Sequence, residues 1–328
     1  MNKNPRKLLS DSKFYSGYSR WDYNKNRYET WEESVARVMN MHREKYDYLL
    51  CDELDEYINY AEKAYKDKLV LGSQRGLQFG GEQIFKHESK LYNCAVSYCD
   101  RLSFFRECMY LLLCGVGVGF SVQNCHIKQL PKVYKVDKSS THYIRHTIED
   151  SIEGWANSFD TLLTLYTSNS NYYPIFDYSK IRQKGSYISG GFKAPGPEGL
   201  KKAHGKWIEL LDNFCKDYPN GRRLDSITCY DLVMHMSDAV LSGGVRRSAT
   251  ICLFDKDDEL MCNAKTGDWF VTNPQRARSN NSVVLIRDKL SLEEFSSIMQ
   301  RTKAFGEPGF VFSDTTEILY NPLNKVAA

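Results

Sequence analysis

Apolar residues recur at helical spacing in the first part of the chain. Over residues 29–68 the spacing of Trp31 and Val38 with their neighbours predicts a helical opening region. Thr30 followed by Glu33 has the pattern of a capping box, in which each side chain bonds the other residue's backbone N–H. We therefore expect the first long helix to begin near Trp31.

The pattern changes to strict alternation in residues 91–98, LYNCAVSY. Such alternation is typical of a half-buried strand, whose successive side chains point to opposite faces. It predicts Asn93 on one face and Cys94 on the other, together with Tyr92 and Val96.

The rest of the chain alternates between helical spacing, glycine-containing loops and short strand-like runs, which favours an α/β fold. Either Asp150 or Ser151 suits the N-cap of one helix, and Asp225 or Ser226 suits that of another. The polar, basic stretch 128–145 indicates a surface connection. Helices are expected near 104–113, 150–166, 199–218 and 291–306. Residues 228–254 indicate a helix, a glycine stop, a basic turn and a strand, residues 273–288 a polar turn that enters a strand, and residues 307–314 a short strand after a turn.

Charge and hydropathy exclude some classes of protein. The chain of 328 residues has 44 Lys and Arg against 41 Asp and Glu, a balance that gives little support to direct nucleic-acid binding or to adsorption on acidic membranes. No apolar run approaches the roughly 20 residues that span a bilayer. The first residues lack the apolar core of a signal peptide, and we expect a cytoplasmic protein with no membrane partner.

Ten cysteines are present, but the chain is large and without an export signal, so reduced thiols are expected. No C-x-x-C pair occurs, and the spacing of Cys94 and Cys99 has no second pair to complete a zinc site. His142 and His146 lack an acidic or cysteine partner at useful spacing. We predict no metal site.

Two loops combine glycines with fixed positive charge. GGVRRS, residues 243–248, offers free backbone N–H groups and two guanidinium groups, and KIRQKGSYISGG, residues 180–191, adds three cations beside a Gly-Gly pair. These are the ingredients of a phosphate or nucleotide contact. Neither loop has the spacing of a P-loop or of a dinucleotide-binding turn. Each alone is more often a surface turn, whereas the two together favour a phosphorylated ligand.

Cys94 could be a redox thiol on its strand, although by composition alone a buried structural cysteine is the commoner outcome. Cys94 lies in one of nine sequence blocks that, taken in order, resemble the class II, adenosylcobalamin-dependent ribonucleotide reductases. The resemblance runs from about residue 14 to residue 322. Its blocks are FYSGYSRWDYNKNRYETWEESVARVM, SQRGLQFGG, LYNCAVSY, GVGVGFSV, DSIEGW, FDYSKIRQKGSYISGGFKAPGPEGL, SGGVRRSATICLFD, RSNNSV and GEPGFVF.

The resemblance implies part of a ten-stranded α/β barrel, mainly its first half-barrel. It suggests a helical region at 1–70, the partial barrel with effector loops at 71–322, and an unrelated tail at 323–328. The implied reaction reduces ribonucleoside triphosphates to deoxyribonucleoside triphosphates for DNA synthesis. Adenosylcobalamin would start a thiyl radical, and two cysteines would reduce the 2′ carbon and become a disulfide. By motif position, Cys94 resembles the first of that reducing pair.

Other roles follow from the same resemblance. KIRQKGSYISGG resembles a specificity loop for a dNTP or ATP effector, with Asp150 suited to effector ribose. GGVRRS resembles a second loop that reports effector identity to the substrate site. A thioredoxin-type donor would re-reduce the disulfide. The loop residues are Lys180, Arg182, Lys184, Gly243, Gly244, Arg246, Arg247 and Ser248, and the implied active-site neighbours are Asn93, Asn280 and Asn281.

The sequence departs from the family where the radical cysteine is expected. The motif Asn-Pro-Cys-x-Glu is replaced by Asn321, Pro322, Leu323, Asn324 and Lys325. Asn321 could still contact a substrate hydroxyl, but a leucine cannot carry a thiyl radical and no carboxylate follows as general base.

We therefore expect an N-terminal reductase portion that is inactive without a C-terminal half, its gene being interrupted by an intron or intein or split in two. One alternative is a non-catalytic nucleotide-binding or regulatory fragment that keeps only the effector loops. Another is a degenerate remnant, whose unpaired strand edges would favour aggregation. The intact glycine, arginine and capping patterns argue against the remnant.

Overall fold

The computed structural model describes residues 5–136, 142–170, 172–188, 192–241 and 249–316. The chain divides into two compact units, the first formed by residues 1–93 with 187–192 and the second by residues 94–186 with 193–328. The helices are α1 Pro5–Gly17, α2 Trp31–Lys45, α3 Asp52–Lys66, α4 Gln74–Phe79, α5 Glu82–Lys86, α6 Ser103–Leu113, α7 Asn124–Ile127, α8 Ile152–Thr167, α9 Glu198–Cys215, α10 Ser226–Leu241, α11 Glu259–Cys262, α12 Trp269–Thr272 and α13 Leu292–Phe305. The strands are β1 Trp21–Asp22, β2 Arg27–Tyr28, β3 Cys94–Tyr98, β4 Gly117–Ser121, β5 Lys132–Val133, β6 Tyr143–Thr147, β7 Tyr173–Asp177, β8 Tyr187–Ile188, β9 Phe192–Lys193, β10 Arg222–Arg223, β11 Thr250–Asp255, β12 Ser279–Ile286 and β13 Gly309–Ser313.

The first unit is mainly helical, and its longest helices begin where the sequence predicts. Helix α2 starts at Trp31, and both hydrogen bonds of the Thr30–Glu33 capping box are present. Val38 of this helix packs with Tyr65 of α3 in a small apolar core. The predicted helical region at 29–68 thus contains α2 and α3, and the first compact unit ends at residue 93.

The glycine-rich segment GSQRGLQFGG, residues 72–81, contains the helix α4. Its Gly76 lies against Val38, and a Cβ built on Gly80 would meet the carbonyl oxygen of Gly76 at 2.5 Å. Gly81 has φ of +92°, a conformation that favours glycine. These glycines therefore serve close packing and a helix end.

A parallel sheet is the centre of the second unit. Its five strands lie in the order β13, β12, β11, β4, β3, and every neighbouring pair is parallel. The α/β class is thereby confirmed. The residues that the structure describes form one five-stranded sheet and not a ten-stranded barrel.

Helices cover one face of this sheet. Phe120 of β4 and Phe254 of β11 are fully buried there, in the same core as Trp207 of α9 and Phe159 of α8. The opposite face has a smaller apolar cluster that includes Ile251 and Leu253. Successive side chains of one strand therefore point alternately to the helical layer and to the opposite face.

The neighbouring strands β4 and β11 are joined by a long excursion, residues 122–249, that contains α8, α9 and α10. Residues 128–145, predicted to be a surface connection, also include β5 and β6, and Val133 is fully buried. That prediction is corrected because the strand β6 pairs in parallel with β7, which follows α8.

Helix ends agree well with the predicted caps. Ser151, rather than Asp150, accepts the hydrogen bond from the N–H of Gly154 at 2.9 Å. Asp225 accepts from the N–H of Thr228 at 3.0 Å. Helix α13 begins with a capping box at Ser291 and ends at Gly306 in the left-handed conformation. Across the described ranges, no helix is both long and apolar enough to cross a membrane.

Candidate functional site

Cys94 is the first residue of β3, an edge strand of the parallel sheet, and its side chain is half-buried. It pairs with Gly117 of β4, a position without a side chain, so only backbone flanks the thiol on that side. As predicted, Cys94 shares a sheet face with Val96, which is 42% exposed. The thiol therefore lies on the face opposite the helical layer, where Val96 and Asn280 are exposed and Ile251 and Leu253 are buried.

Asn280 lies on the same face as Cys94. The register aligns Val96 with Gly119, Ile251 and Asn280 across four neighbouring strands. Among the residues of β12, Asn280 is the exposed one. At about 4.8 Å between strands, it lies roughly 14 Å across the sheet from β3. The two side chains could face one ligand from opposite sides, but they are not in contact.

The other two predicted active-site neighbours, Asn281 and Asn93, do not lie on the sheet face of Cys94. Asn281 follows Asn280 along β12 and therefore points to the helical face. Asn93 precedes β3 in the first unit, where its Oδ1 accepts a hydrogen bond from Arg75 at 3.4 Å. Alternation thus separates Asn281 from the face that carries Cys94.

Asn281 belongs to a buried polar network at the start of β12. Its Oδ1 accepts from Ser279 Oγ at 2.7 Å, and Ser279 Oγ lies 2.8 Å from the hydroxyl of Tyr230. Burial raises the pKa of Tyr230, so this hydroxyl stays protonated. The Nδ2 of Asn281 is buried without a hydrogen-bond partner in the described part of the chain.

Lys265 and Glu307 complete this network. Their Nζ and Oε1 atoms are 2.8 Å apart, and only 7% of the lysine side chain and 20% of the glutamate side chain are exposed. Burial lowers the pKa of Lys265, while the Glu307 carboxylate opposes that shift. Sequence reasoning missed both roles. Glu307 lies in the quoted block GEPGFVF, whereas no local pattern distinguishes Lys265.

The first predicted effector loop follows β7. Arg182 Nε donates to Asp150 Oδ2 at 2.5 Å, and Lys180 pairs with Glu149. Lys184 is exposed. Structure thus brings Asp150 and Arg182 together beside the N-terminus of α8, as a joint site would require. Any anion that binds here would have to compete with the carboxylates for these cations.

An open cleft of about 400 Å³ borders this loop, a size within the range of small-ligand pockets. Its lining mixes charge, aromatic rings and hydrogen-bonding groups. The lining residues are Arg145, Ile175, Phe176, Asp177, Tyr178, Ser179, Ile181, Gln183, Pro197 and Lys201.

A buried histidine supports the wall of this cleft. His204 Nε2 lies 2.8 Å from Ser158 Oγ, which itself donates to the Trp155 carbonyl, so the ring N–H is assigned to Nε2. Its Nδ1 then accepts from the Tyr178 hydroxyl at 2.8 Å. Desolvation lowers the pKa of His204 to about 3. The ring also stacks on Phe176, with centroids 4.3 Å apart.

A second, more acidic cleft of about 540 Å³ lies at the carboxyl ends of β4 and β11. Its aspartates already have structural roles. Asp255 accepts from Gln123 Nε2 at 2.8 Å and from the N–H of Asn124 at 2.7 Å. Asp225 and Asp258 cap helices. Within the described ranges, no three His, Cys, Asp or Glu residues converge as a metal site would require.

Comparison with known proteins identifies relatives of this chain. No family model matches the chain. A probable adenosylcobalamin-dependent ribonucleoside-triphosphate reductase of Dictyostelium discoideum is 31% identical over 339 residues, covering 94% of this chain and 43% of that protein. The adenosylcobalamin-dependent ribonucleoside-triphosphate reductase of Lactobacillus leichmannii is 28% identical over 366 residues, covering 92% and 48%.

The chain is homologous to these reductases. A crystal structure of a B-12-dependent (class II) ribonucleotide reductase matches the fold with a TM-score of 0.77 at 24% identity, covering 93% of this chain and 49% of that one. The resemblance inferred from the sequence is therefore confirmed. The chain spans about half the length of the reductases it matches.

Several residues assigned through the reductase resemblance lie outside the described residues. They are Gly243, Gly244, Arg246, Arg247, Ser248, Asn321 and Leu323. The second loop and the substituted radical position therefore remain predictions.

Proposed function

We propose that this chain is a component of an adenosylcobalamin-dependent ribonucleoside-triphosphate reductase. The observation that carries the proposal is the placement of Cys94. A half-buried thiol stands on an edge strand of the parallel sheet, on the face opposite the helical layer, in a chain more than nine-tenths of which aligns with such reductases. Asn280, exposed on the same face, would contribute a polar group to the substrate.

In the proposed reaction Cys94 is one of two reducing thiols. The two thiols give up two electrons and two protons, the 2′ hydroxyl of the ribonucleotide leaves as water, and the sulfur atoms join in a disulfide. A thioredoxin-type dithiol then reduces that disulfide. Cys94 is reduced in the structure, the state in which it would enter this cycle.

Adenosylcobalamin would supply the homolytic Co–C cleavage that starts radical chemistry. The two clefts described above, of about 400 and 540 Å³, have the size of small-ligand pockets, and nothing in their linings points to a corrinoid. We therefore assign no described residue to hold the cofactor. The remainder of the reductase would provide the cofactor site, the radical cysteine and the second reducing cysteine. It would be supplied as a second polypeptide or as more of the same chain.

Regulation by a dNTP or ATP effector is proposed at the loop after β7. Asp150 and Arg182 stand together there, and Lys180 and Lys184 add positive charge suited to a triphosphate. The cleft beside them supports the alternative function, a nucleotide-binding regulatory fragment without catalysis. GGVRRS would be the second element of either regulatory site.

The test is dNTP formation from NTP in the presence of adenosylcobalamin and a dithiol. The chain is assayed alone and with a polypeptide that supplies the remaining half of a homologous reductase. Turnover only in the combination supports a reductase component. Turnover by the chain alone would contradict our interpretation of Leu323, and dNTP binding without turnover in either case would favour the regulatory fragment.

Cys94→Ser provides the residue-level control. It should abolish turnover of the combined protein without lowering dNTP affinity. Cys51→Ser is the matched variant, since Cys51 is an exposed thiol of the first unit with no proposed role. Equal turnover of wild type and Cys94→Ser would remove Cys94 from the reaction.

A further inference from the structure

The start of β12 extends beyond the end of its neighbour. Pairing of β12 with β13 begins at Ser282 and Gly309, so the preceding residues of β12 have no strand partner on that side. Backbone groups buried at such a position need other partners, because an unpaired N–H or C=O in the interior is destabilising. The Ser279 carbonyl and the Asn281 N–H are the groups concerned.

Lys265 and Glu307 take the place of the missing strand. Lys265 Nζ donates to the Ser279 carbonyl oxygen, and Glu307 Oε2 accepts from the Asn281 N–H at 3.1 Å. The lysine and the glutamate also bond each other at 2.8 Å. One buried ion pair thus gives both backbone groups a hydrogen-bond partner.

A second buried ion pair, Arg276 with Asp231, restrains the backbone next to Lys265. Arg276 donates to both oxygens of Asp231 on α10, at 2.9 and 2.6 Å, and also to the Ala264 carbonyl at 2.7 Å. Ala264 immediately precedes Lys265. The ammonium group of Lys265 lies 5.5 Å from the ring centroid of Trp269. The lysine therefore has little freedom to move away from β12.

The two bonded groups belong to the peptide units on either side of Asn280. The carbonyl of Ser279 lies in the unit before it, and the N–H of Asn281 lies in the unit after it. Both flanking peptide planes are therefore fixed, and the side chain between them is directed to the face that carries Cys94. We propose that Lys265 and Glu307 are positioning residues for Asn280, a role that rests on the proposed function.

The structural part of the test uses this chain labelled with ¹⁵N-asparagine, with the two signals assigned through Asn280→Asp and Asn281→Asp. In Lys265→Met and in Glu307→Gln, the Asn281 amide should exchange with solvent about tenfold faster or more, because a charge-assisted hydrogen bond is weakened. Arg287→Gln is the control, since it breaks an exposed pair with Asp314 at the other end of β12 and should leave that exchange unchanged.

The kinetic part uses the reductase assembled with its remaining half. Each variant should lower kcat by about 10- to 100-fold, as expected for a misplaced substrate-facing group, with little change in KM for the NTP. In an Asn280→Ala background the same substitutions should have almost no further effect, because residues that act through one another are not additive. Arg287→Gln should keep wild-type kcat.

The two parts separate the possible failures. Unchanged Asn281 exchange in both variants would refute the backbone role, whatever the kinetics. Faster exchange with additive kcat effects would refute the positioning of Asn280. Absence of turnover in the wild-type assembly would overturn the proposed function, whereas the exchange measurement would still decide whether the ion pair holds β12. Two variants are used so that a folding failure in one leaves the other informative.

Discussion

The Asp231–Arg276 pair should contribute strongly to the stability of the second unit. Only 9% and 13% of the two side chains are exposed, and both guanidinium–carboxylate hydrogen bonds are short. Arg276→Met would leave the carboxylate buried with one remaining donor among the described residues, Gln275 at 3.2 Å. Removing one partner of such a pair costs about 3–5 kcal/mol, and the remaining amide places the expected loss near 3 kcal/mol.

Urea unfolding followed by fluorescence measures this loss, and thermal unfolding should show it as a fall in Tm of about 6–12 °C. The double variant Asp231→Leu, Arg276→Met removes both charges and should recover about 2 kcal/mol relative to the single variant, because no uncompensated ion remains. Arg287→Met breaks an ion pair whose side chains are 57% and 82% exposed, and it should cost less than about 1 kcal/mol.

The reasoning would be refuted if Arg276→Met and Arg287→Met lost similar stability. A double variant less stable than Arg276→Met would also contradict it, since the main cost would then be lost packing and hydrogen bonding rather than a stranded carboxylate.

Three further predictions follow from single contacts. The pKa of His204 is lowered to about 3 by burial, whereas the unfolded chain takes up this proton below about pH 6.5, so stability should fall as the pH decreases from 6.5 towards 3. Urea unfolding at pH 7 and pH 5 should show a loss of stability that is about 2 kcal/mol larger in the wild type than in His204→Gln; equal losses in both proteins would exclude His204 as the cause. Ser151→Ala removes the N-cap bond of α8 and should cost about 1 kcal/mol in the same assay, whereas Ser297→Ala, at an exposed position of α13, should not destabilise the protein. Gly80→Ala places a methyl group 2.5 Å from the Gly76 carbonyl oxygen and should destabilise the first unit more than Gly17→Ala, where nothing lies within 4 Å; equal Tm values would show that the α4 end adapts freely.

Features with local causes were predictable from the sequence. The capping boxes at Thr30 and Ser291 depend on residues three positions apart, and both form as expected. Alternation around Cys94 requires only that β3 be a strand, and it correctly placed the thiol with Val96 on one face. The order of blocks was sufficient to identify the reductase resemblance.

Features with distant causes were not predictable. The helix α4 forms in a glycine-rich segment because Gly76 packs against Val38, a contact that no local pattern indicates. Lys265 meets Glu307 only after β12 and α13 have placed the two residues side by side. The same applies to Asn281, whose hydrogen bond to Ser279 joins it to Tyr230 of a distant helix, and its assignment to the active site stays a prediction.

The long excursion between β4 and β11 also affects how the chain can fold during synthesis. Val118 and Thr250 are register partners in the middle of the sheet, yet they are 132 positions apart. At a translation rate of about 5–20 residues per second, β4 would wait on the order of 10 s for the strand beside it. Such distant pairing raises the contact order and slows folding. During that interval the apolar strand GVGFS would depend on α6, or on a chaperone, to remain out of water.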